Sequence, residues 1–215
     1  MKKLGFISIL LVLLPLASQA EDCVFNLMAQ GWGFNDGEEI GDHWGVVGLL
    51  EPIQPENPPI DFDFVANEVS FAILDMEIDS VTGTDIAIFE LGGGSVGIYE
   101  DPSFNFDPGS DPFDGIISAT DGSLALGGEG LHATLIINNI LEIGTILGEF
   151  DWSDGTYLDD IEALGPLLWS FNFGISFSSN VNVPTGYHSL WVGRFYSMCP
   201  TASEPSTWTE LKNLY

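Results

Sequence analysis

The chain has 215 residues, and its 32 Asp and Glu against 4 Lys and Arg give a formal net charge of −28. Hydrophobic residues make up 45% of it, which excludes an acidic disordered chain, because such chains lack the apolar residues that a core requires. The charge excludes nucleic acid and anionic membrane surfaces as favoured partners, since the acids would repel their phosphates. Cations and neutral polymers remain as partner classes.

Residues 1–20 have the pattern of a secretory signal peptide. Lys2 and Lys3 precede an apolar run from Leu4 to Leu14, and the small residues from Ala17 to Ala20 form a cleavage site. The run is too short to span a bilayer and no later stretch offers about 18 apolar residues, so we expect no transmembrane segment. Cleavage would leave 195 residues with a formal charge of −30. We expect this protein to be secreted, extracellular or at the cell surface of a bacterium.

Cys23 and Cys199 lie near the two ends of the mature domain. In an oxidising compartment an even cysteine count favours a disulfide, and two buried free thiols are the alternative. A bridge over so long a loop would restrict the unfolded chain by about 4 to 5 kcal/mol.

Between the cysteines, short β-branched and aromatic runs are separated by Gly, Asp, Asn and Pro, a pattern typical of strands and turns. The predicted strands are Val24 to Trp32, Trp44 to Glu51, Glu68 to Ile78, Asp85 to Leu91, Ser95 to Tyr99, Gly115 to Thr120, Ser123 to Gly127, Leu131 to Asn138, Ile146 to Trp152, Leu167 to Phe177 and Ser189 to Met198. We therefore expect residues 21–199 to form one all-β domain, a single antiparallel β-sandwich, jelly-roll-like or Ig-like, of about ten short strands.

One strand shows which face should meet the core. In Glu68 to Ile78, every second residue from position 72 onward lies on the same face of the strand, and these residues are all apolar: Ala72, Leu74, Met76 and Ile78. We expect this face to be buried.

Helix is predicted at two places only. Leu158 to Leu164 is the one helix expected inside the domain. After Cys199, residues 200–206 form a linker, and Thr207 with Glu210 makes a capping box that opens a short helical tail ending at Tyr215.

One series of residues carries a family resemblance. The segment Gly94 to Asp107, followed by Phe113 to Gly115 and Ser123 to Gly127, resembles secreted bacterial proteins of the type that often carry PEP-CTERM sorting signals. Asn67 to Phe71 and Gly186 to Arg194 share the pattern, so the likeness covers residues 60–195. It implies a cell-surface or matrix-associated β-sandwich with no catalytic residues to carry over. The sorting helix itself is absent from the tail.

Two catalytic patterns are weak here. Gly93 to Gly97 matches G-x-S-x-G, but a nucleophile elbow requires a strand-to-helix turn, whereas Ile98 and Tyr99 continue a strand. We interpret the motif as a Gly-rich turn and not as a site for a Ser95 nucleophile. The histidines His43, His132 and His188 have no zinc-site spacing and are expected to be surface or core residues.

Three acids are compatible with a glycosidase. Glu149, Asp151 and Asp154 approach the strand pattern with which some β-sandwich glycosidases place a nucleophile and an acid on one face. Solvated acids are the alternative.

The acidic loops give the strongest chemical signal, because hard cations need several oxygen ligands converging from a turn. The three loose clusters are Asn35, Asp36, Glu38 and Asp42; Asp101, Asn105, Asp107, Asp111 and Asp114; and Asp151, Asp154, Asp159 and Asp160. The second cluster is the predicted calcium loop, with calcium as the one cofactor considered, and solvated turns are the alternative.

Six tryptophans, including Trp32, Trp44, Trp152, Trp169 and Trp191, could form a sugar-stacking platform, although most should be core residues. The expected function is that of a secreted acidic non-enzymatic surface or extracellular-matrix protein, with polysaccharide or cell-surface matrix as its partner. A carbohydrate-binding module and a β-sandwich glycoside hydrolase are the alternatives.

Overall fold

The computed structural model describes residues 26–52, 60–109, 111–165 and 167–198. The strands are β1 (Asn26–Asn35), β2 (His43–Leu50), β3 (Glu68–Thr82), β4 (Ile86–Gly92), β5 (Ser95–Asp101), β6 (Ser123–Asn138), β7 (Ile143–Asp154), β8 (Leu168–Phe177) and β9 (Ser189–Met198), and the helices are α1 (Pro112–Thr120) and α2 (Leu158–Glu162). In these ranges no helix has the length and hydrophobicity needed to cross a bilayer. The predicted signal peptide, both cysteines and the tail lie outside the described residues.

Strands β4 and β5 occupy one position in the sheet. Both pair with β3 on one side and with β6 on the other, one after the other along the same line. Gly92 lies opposite Glu77 and Ser95 lies opposite Leu74, so the register passes the intervening residues without a slip. Gly93 and Gly94 have φ of 69° and 75°, a conformation that favours glycine. The Gly-rich motif is therefore an interruption within a strand, and Ser95 begins β5 instead of a helix.

The sheet closes on itself. Apart from β4 and β5, consecutive strands pair with each other, and β9 returns to pair with β1 from Asn26↔Tyr196 to Gly33↔Ser189. With β4 and β5 counted as one position, eight antiparallel strands form an up-and-down barrel. The predicted β-sandwich is wrong. Alternating strands between turns occur in both architectures, and only the pairing of the first strand with the last distinguishes them.

Large side chains fill the barrel. The largest fully buried ones include Trp44, Trp191, Phe71, Phe171, Phe173 and Phe195. An eight-stranded barrel has an interior just wide enough for side chains, and here aromatic rings face glycines on neighbouring strands. Four of the five tryptophans in the described ranges belong to this core, as expected for most of them: Trp44, Trp152, Trp169 and Trp191.

A bulge changes the buried face of β3. Ala72 and Leu74 lie in a cluster outside the barrel, whereas Met76 and Ile78 lie in the barrel core. The change occurs at Asp75, which has φ of 58°, because two residues of β3 there oppose a single residue of β2. The predicted face is therefore divided between two cores: its first half packs in the cluster that contains Ala119 of α1, and its second half lies in the barrel interior.

Helix α1 covers the outside of β2, β3 and β5, where a strand from Gly115 to Thr120 was expected. The side chain of Asp111 caps it by accepting hydrogen bonds from the backbone N–H of Phe113 (2.9 Å) and Asp114 (3.1 Å). This Asp-Pro start outweighs the β propensity of the isoleucines that follow. The other helix, α2, confirms the prediction at Leu158 to Leu164.

Candidate functional site at one end of the barrel

Four strand connections meet at one end of the barrel, because successive strands alternate in direction. They are β1–β2, β3–β4, β6–β7 and β8–β9, and we call this the hairpin end. A pocket of about 370 Å³ opens there. Its lining consists of Asn35, Glu38, Ile137, Asn139, Glu142, Phe177, Ser178, Ser179 and His188. Barrel mouths are a frequent place for small-ligand sites.

The floor of the pocket is apolar and its walls are polar. Ile137 belongs to the barrel core and Phe177 packs against that core. The remaining lining residues carry carboxylate, amide, hydroxyl or imidazole groups and come from the strand ends and connections. The pocket therefore combines an apolar surface with groups that form hydrogen bonds.

Backbone hydrogen bonds hold the wall segments together. The N–H of Phe177 donates to the carbonyl of Glu142 (3.1 Å), and the N–H of Ser178 donates to the carbonyl of His188 (2.8 Å). The N–H of His188 in turn donates to the carbonyl of Gly33 at the end of β1 (2.9 Å). The β6–β7 hairpin, the β8–β9 connection and β1 are thus fixed relative to one another, so this part of the pocket is preformed.

Glu142 is held in place from several sides. Its backbone has φ of 53°, and the side-chain amide of Asn180 donates to the carbonyls of Leu141 and Glu142, each at 2.9 Å. The hydroxyl of Ser179 donates to Glu142 Oε2. The side-chain amide of Asn139, beside it in the hairpin, donates to the carbonyl of Thr84 (2.6 Å). These contacts set one carboxylate and one amide oxygen at the pocket wall.

Glu38 lines the pocket from the β1–β2 connection. Two aspartates stabilise this turn through hydrogen bonds to its backbone. The carboxylate of Asp36 accepts from the backbone N–H of His43 (2.5 Å) and lies 3.5 Å from His43 Nδ1. That backbone hydrogen bond lowers the pKa of Asp36. The carboxylate of Asp42 accepts from the N–H of Glu39 (2.8 Å). In the first acidic cluster, two acids therefore support the turn while Asn35 and Glu38 line the pocket.

In the predicted calcium loop, aspartate carboxylates accept hydrogen bonds from backbone N–H groups of the same segment. Asp101, buried at the end of β5, accepts from the N–H of Ser103 (2.9 Å), and Asp107 accepts from the N–H of Gly109 (2.9 Å). Asp111 and Asp114 lie at the start of α1, and Asn105 donates to Asp121 (3.1 Å). Over the described ranges, no three His, Cys, Asp or Glu side chains are grouped to hold a metal ion. Calcium binding by this loop stays a prediction.

The predicted glycosidase acids lie elsewhere on the barrel. Glu149 is half-buried on the outer face of β7, opposite His132 of β6 and Ser170 of β8. Burial raises the pKa of Glu149, His132 opposes that shift, and Asp151 adds to it. Asp154 is exposed and accepts from the N–H of Gly155 (2.7 Å). None of the three acids lines the pocket at the hairpin end.

The predicted tryptophan platform is not present in the described part of the chain. Trp32 is half-buried and stacks on Phe106, with ring centroids 5.9 Å apart, in the cluster under α1. The other described tryptophans lie in the barrel core.

Sequence reasoning missed most of the pocket. Asn139, Glu142, Ser178 and Ser179 were not selected, and His188 was assigned to the surface or core. The available signal was their position in strand connections. In an up-and-down barrel alternate connections share one end, so recognising that topology would have grouped them.

Compared with known proteins, the chain matches no family model, no curated protein and no solved structure. The resemblance to secreted bacterial proteins of the PEP-CTERM type stays an expectation drawn from residues 60–195.

Proposed function

We propose that this protein is a secreted, non-enzymatic surface or matrix protein that binds carbohydrate in the pocket at the hairpin end. The observation that carries this proposal is the composition of the pocket. Carboxylates, amides and hydroxyls stand around the apolar side chains of Ile137 and Phe177. A sugar ring has the matching surface, since its rim carries hydroxyls and its face carries C–H groups.

The size and structure of the pocket favour a small ligand. Its volume of about 370 Å³ lies within the range of roughly 300 to 1,000 Å³ that is usual for small-molecule sites. The hydrogen bonds that join Glu142, Phe177, Ser178 and His188 fix the walls before a ligand arrives. A preformed site loses less conformational freedom on binding.

The charge of the chain supports the surface or matrix role. With residues 1–20 removed, the formal charge is −30. Such a charge keeps a protein soluble and reduces adhesion to anionic surfaces and to other copies of itself. Secretion to the extracellular space or cell surface of a bacterium remains part of the proposal and rests on the pattern of residues 1–20.

The test is an array of polysaccharides and cell-wall fractions, probed with the exported protein with and without calcium. We expect at least one polysaccharide to bind, and we expect Asn35→Ala together with Glu38→Gln to weaken that binding by about tenfold, the loss of one to two hydrogen bonds. Glu162→Gln, which makes the same charge change on exposed α2, is the matched control.

Three results would contradict the proposal. If no carbohydrate binds, or if the pocket variant and the Glu162→Gln control bind equally well, the pocket does not bind carbohydrate. If the protein releases reducing sugar from any substrate in the array, the non-enzymatic part of the proposal fails.

A further inference from the structure

The pocket at the hairpin end carries negative charge that no Lys or Arg of the described residues balances. Glu38 and Glu142 contribute two carboxylates from two different hairpins, and no Lys or Arg is among the lining residues. Arg194 is the one Lys or Arg in the described ranges. It lies on β9, with its guanidinium 5.1 Å from the ring centroid of Tyr196, and it does not line the pocket.

The pocket also presents several hydrogen-bond acceptors that have no donor in the described part of the chain. The Ser179 hydroxyl already donates to Glu142, and the side-chain amide of Asn139 already donates to Thr84. Glu142 Oε1, Asn139 Oδ1 and both oxygens of Glu38 have no hydrogen-bond donor within the described part of the chain. A ligand that contacts these exposed oxygens must offer N–H or O–H donors to them.

An ammonium group meets both requirements. It brings three N–H donors and a positive charge, whereas a hydroxyl brings one donor and no charge. Hydrogen bonds from a charged donor to a carboxylate are roughly twice as strong as neutral ones. The acidic field of the whole protein also raises the local concentration of cations in a concave site and lowers that of anions.

We infer that the pocket at the hairpin end takes an amino sugar whose amine is free and protonated. This inference rests on the proposed carbohydrate function and specifies its ligand. The amine is held by the carboxylates of Glu38 and Glu142, and the apolar face of the ring contacts Phe177. Sugars that carry phosphate or carboxylate are excluded by repulsion, and N-acetylation removes the charge that selects the ligand.

The experiment is calorimetric titration of the full mature chain with short oligomers of glucosamine, N-acetylglucosamine and glucose, all of one length. We expect the glucosamine oligomer to bind at least tenfold more tightly than the other two. We expect 0.5 M sodium chloride to weaken its binding, because salt screens charge pairs, and to leave the neutral oligomers unchanged.

Isosteric variants show whether the carboxylates cause the preference. Glu142→Gln and Glu38→Gln should each reduce the affinity for the glucosamine oligomer about tenfold and change that for the glucose oligomer less than twofold. Glu162→Gln should leave every affinity unchanged. Thermal melts of each variant show whether the fold is kept, and Glu38→Gln alone suffices if Glu142→Gln does not fold.

The outcomes separate the two proposals. Equal affinity for the amino and neutral oligomers, or equal weakening of both by Glu142→Gln, would overturn the amino-sugar inference while carbohydrate binding stands. No binding of any oligomer or polysaccharide would overturn the proposed function itself.

Discussion

Gly148 of β7 lies directly opposite Phe171 of β8, and the Phe171 ring fills the space that a side chain at Gly148 would need. Phe171 is fully buried, and its ring packs against those of Phe150 and Phe195. The absence of a side chain at Gly148 thus leaves the space in the barrel interior that the Phe171 ring occupies.

Gly148→Ala should destabilise the protein by about 1 to 3 kcal/mol, because the added methyl group overpacks the core against a ring that has no free space to move into. Urea unfolding measures the change. Gly174→Ala is the matched control on β8, since a Cβ there would have only the Val192 carbonyl, at 3.7 Å, within contact distance. Equal losses in both variants would show that the Phe171 ring is not the cause.

Asp111→Ala should cost about 0.5 to 2 kcal/mol, because it removes the side chain that caps α1. Thermal melts in chelator isolate this effect from any bound cation.

The calcium prediction is tested by further thermal melts. Calcium should raise the melting midpoint of the parent protein more than sodium chloride of matched ionic strength does, and Asp107→Asn should remove the difference. Equal shifts from the two salts would contradict a calcium site in the loop from Asp101 to Asp114.

Tyr187 is expected to make the free energy of unfolding fall as the pH becomes alkaline. Its hydroxyl donates to the carbonyl of Pro108 (2.9 Å), and burial, aided by Asp111, Asp107 and Asp114, raises the pKa of Tyr187 to about 12. Since the unfolded side chain ionises near pH 10, the neutral form stabilises the fold fully below that pH. This stabilisation is lost as pH rises from about 10 to about 12.

Tyr187→Phe should therefore lower stability at pH 8 by about 0.5 to 1.5 kcal/mol, the usual contribution of one hydrogen bond. It should also make the decline between pH 10 and about 12 less steep. Urea unfolding at three pH values measures both effects. Burial also raises the pKa of Tyr99, Tyr157 and Tyr196, so part of the decline will remain. An unchanged slope in the variant would contradict the role of Tyr187.

The seam between β1 and β9 bears on the predicted disulfide. The two strands pair without a register shift from Gly33↔Ser189 to Asn26↔Tyr196. In the sequence, Cys23 precedes β1 by three residues and Cys199 directly follows β9. Both cysteines lie outside the described residues, and the bridge stays a prediction. Unfolding the exported, unreduced protein in an alkylating reagent should add no label, whereas two labels would contradict the bridge.

The strands were predictable because their alternation is local. The predicted strand Ser189 to Met198 coincides with β9, and Leu167 to Phe177 differs from β8 by one residue. The helix α1 was not predicted because Ile116 and Ile117 favour a strand. Its cap residue, Asp111, lies before the predicted strand Gly115 to Thr120. The Asp75 bulge depends on how β2 and β3 pair, which alternation within one strand does not report.

The site was less predictable than the strands for a related reason. Glu38, Glu142 and His188 lie in three separate connections, and no spacing rule joins them. They converge only because the sheet is an up-and-down barrel. A sandwich with Greek-key connections would place the same turns at different ends of the domain. The incorrect prediction of a β-sandwich therefore also prevented the prediction of the pocket.

The up-and-down order has a consequence for how the chain folds. With β4 and β5 counted as one position, every ladder except the β1–β9 seam joins neighbouring positions along the chain, so most pairings close short loops and can form early. The seam joins the two ends of the domain, so we expect it to form last. Until then β1 and β9 are free edges that can pair with other molecules. A chain that ends at residue 188 lacks β9 and keeps β1 and β8 as open edges, so it should aggregate, as light scattering would show. A chain that retains β9 should stay monomeric.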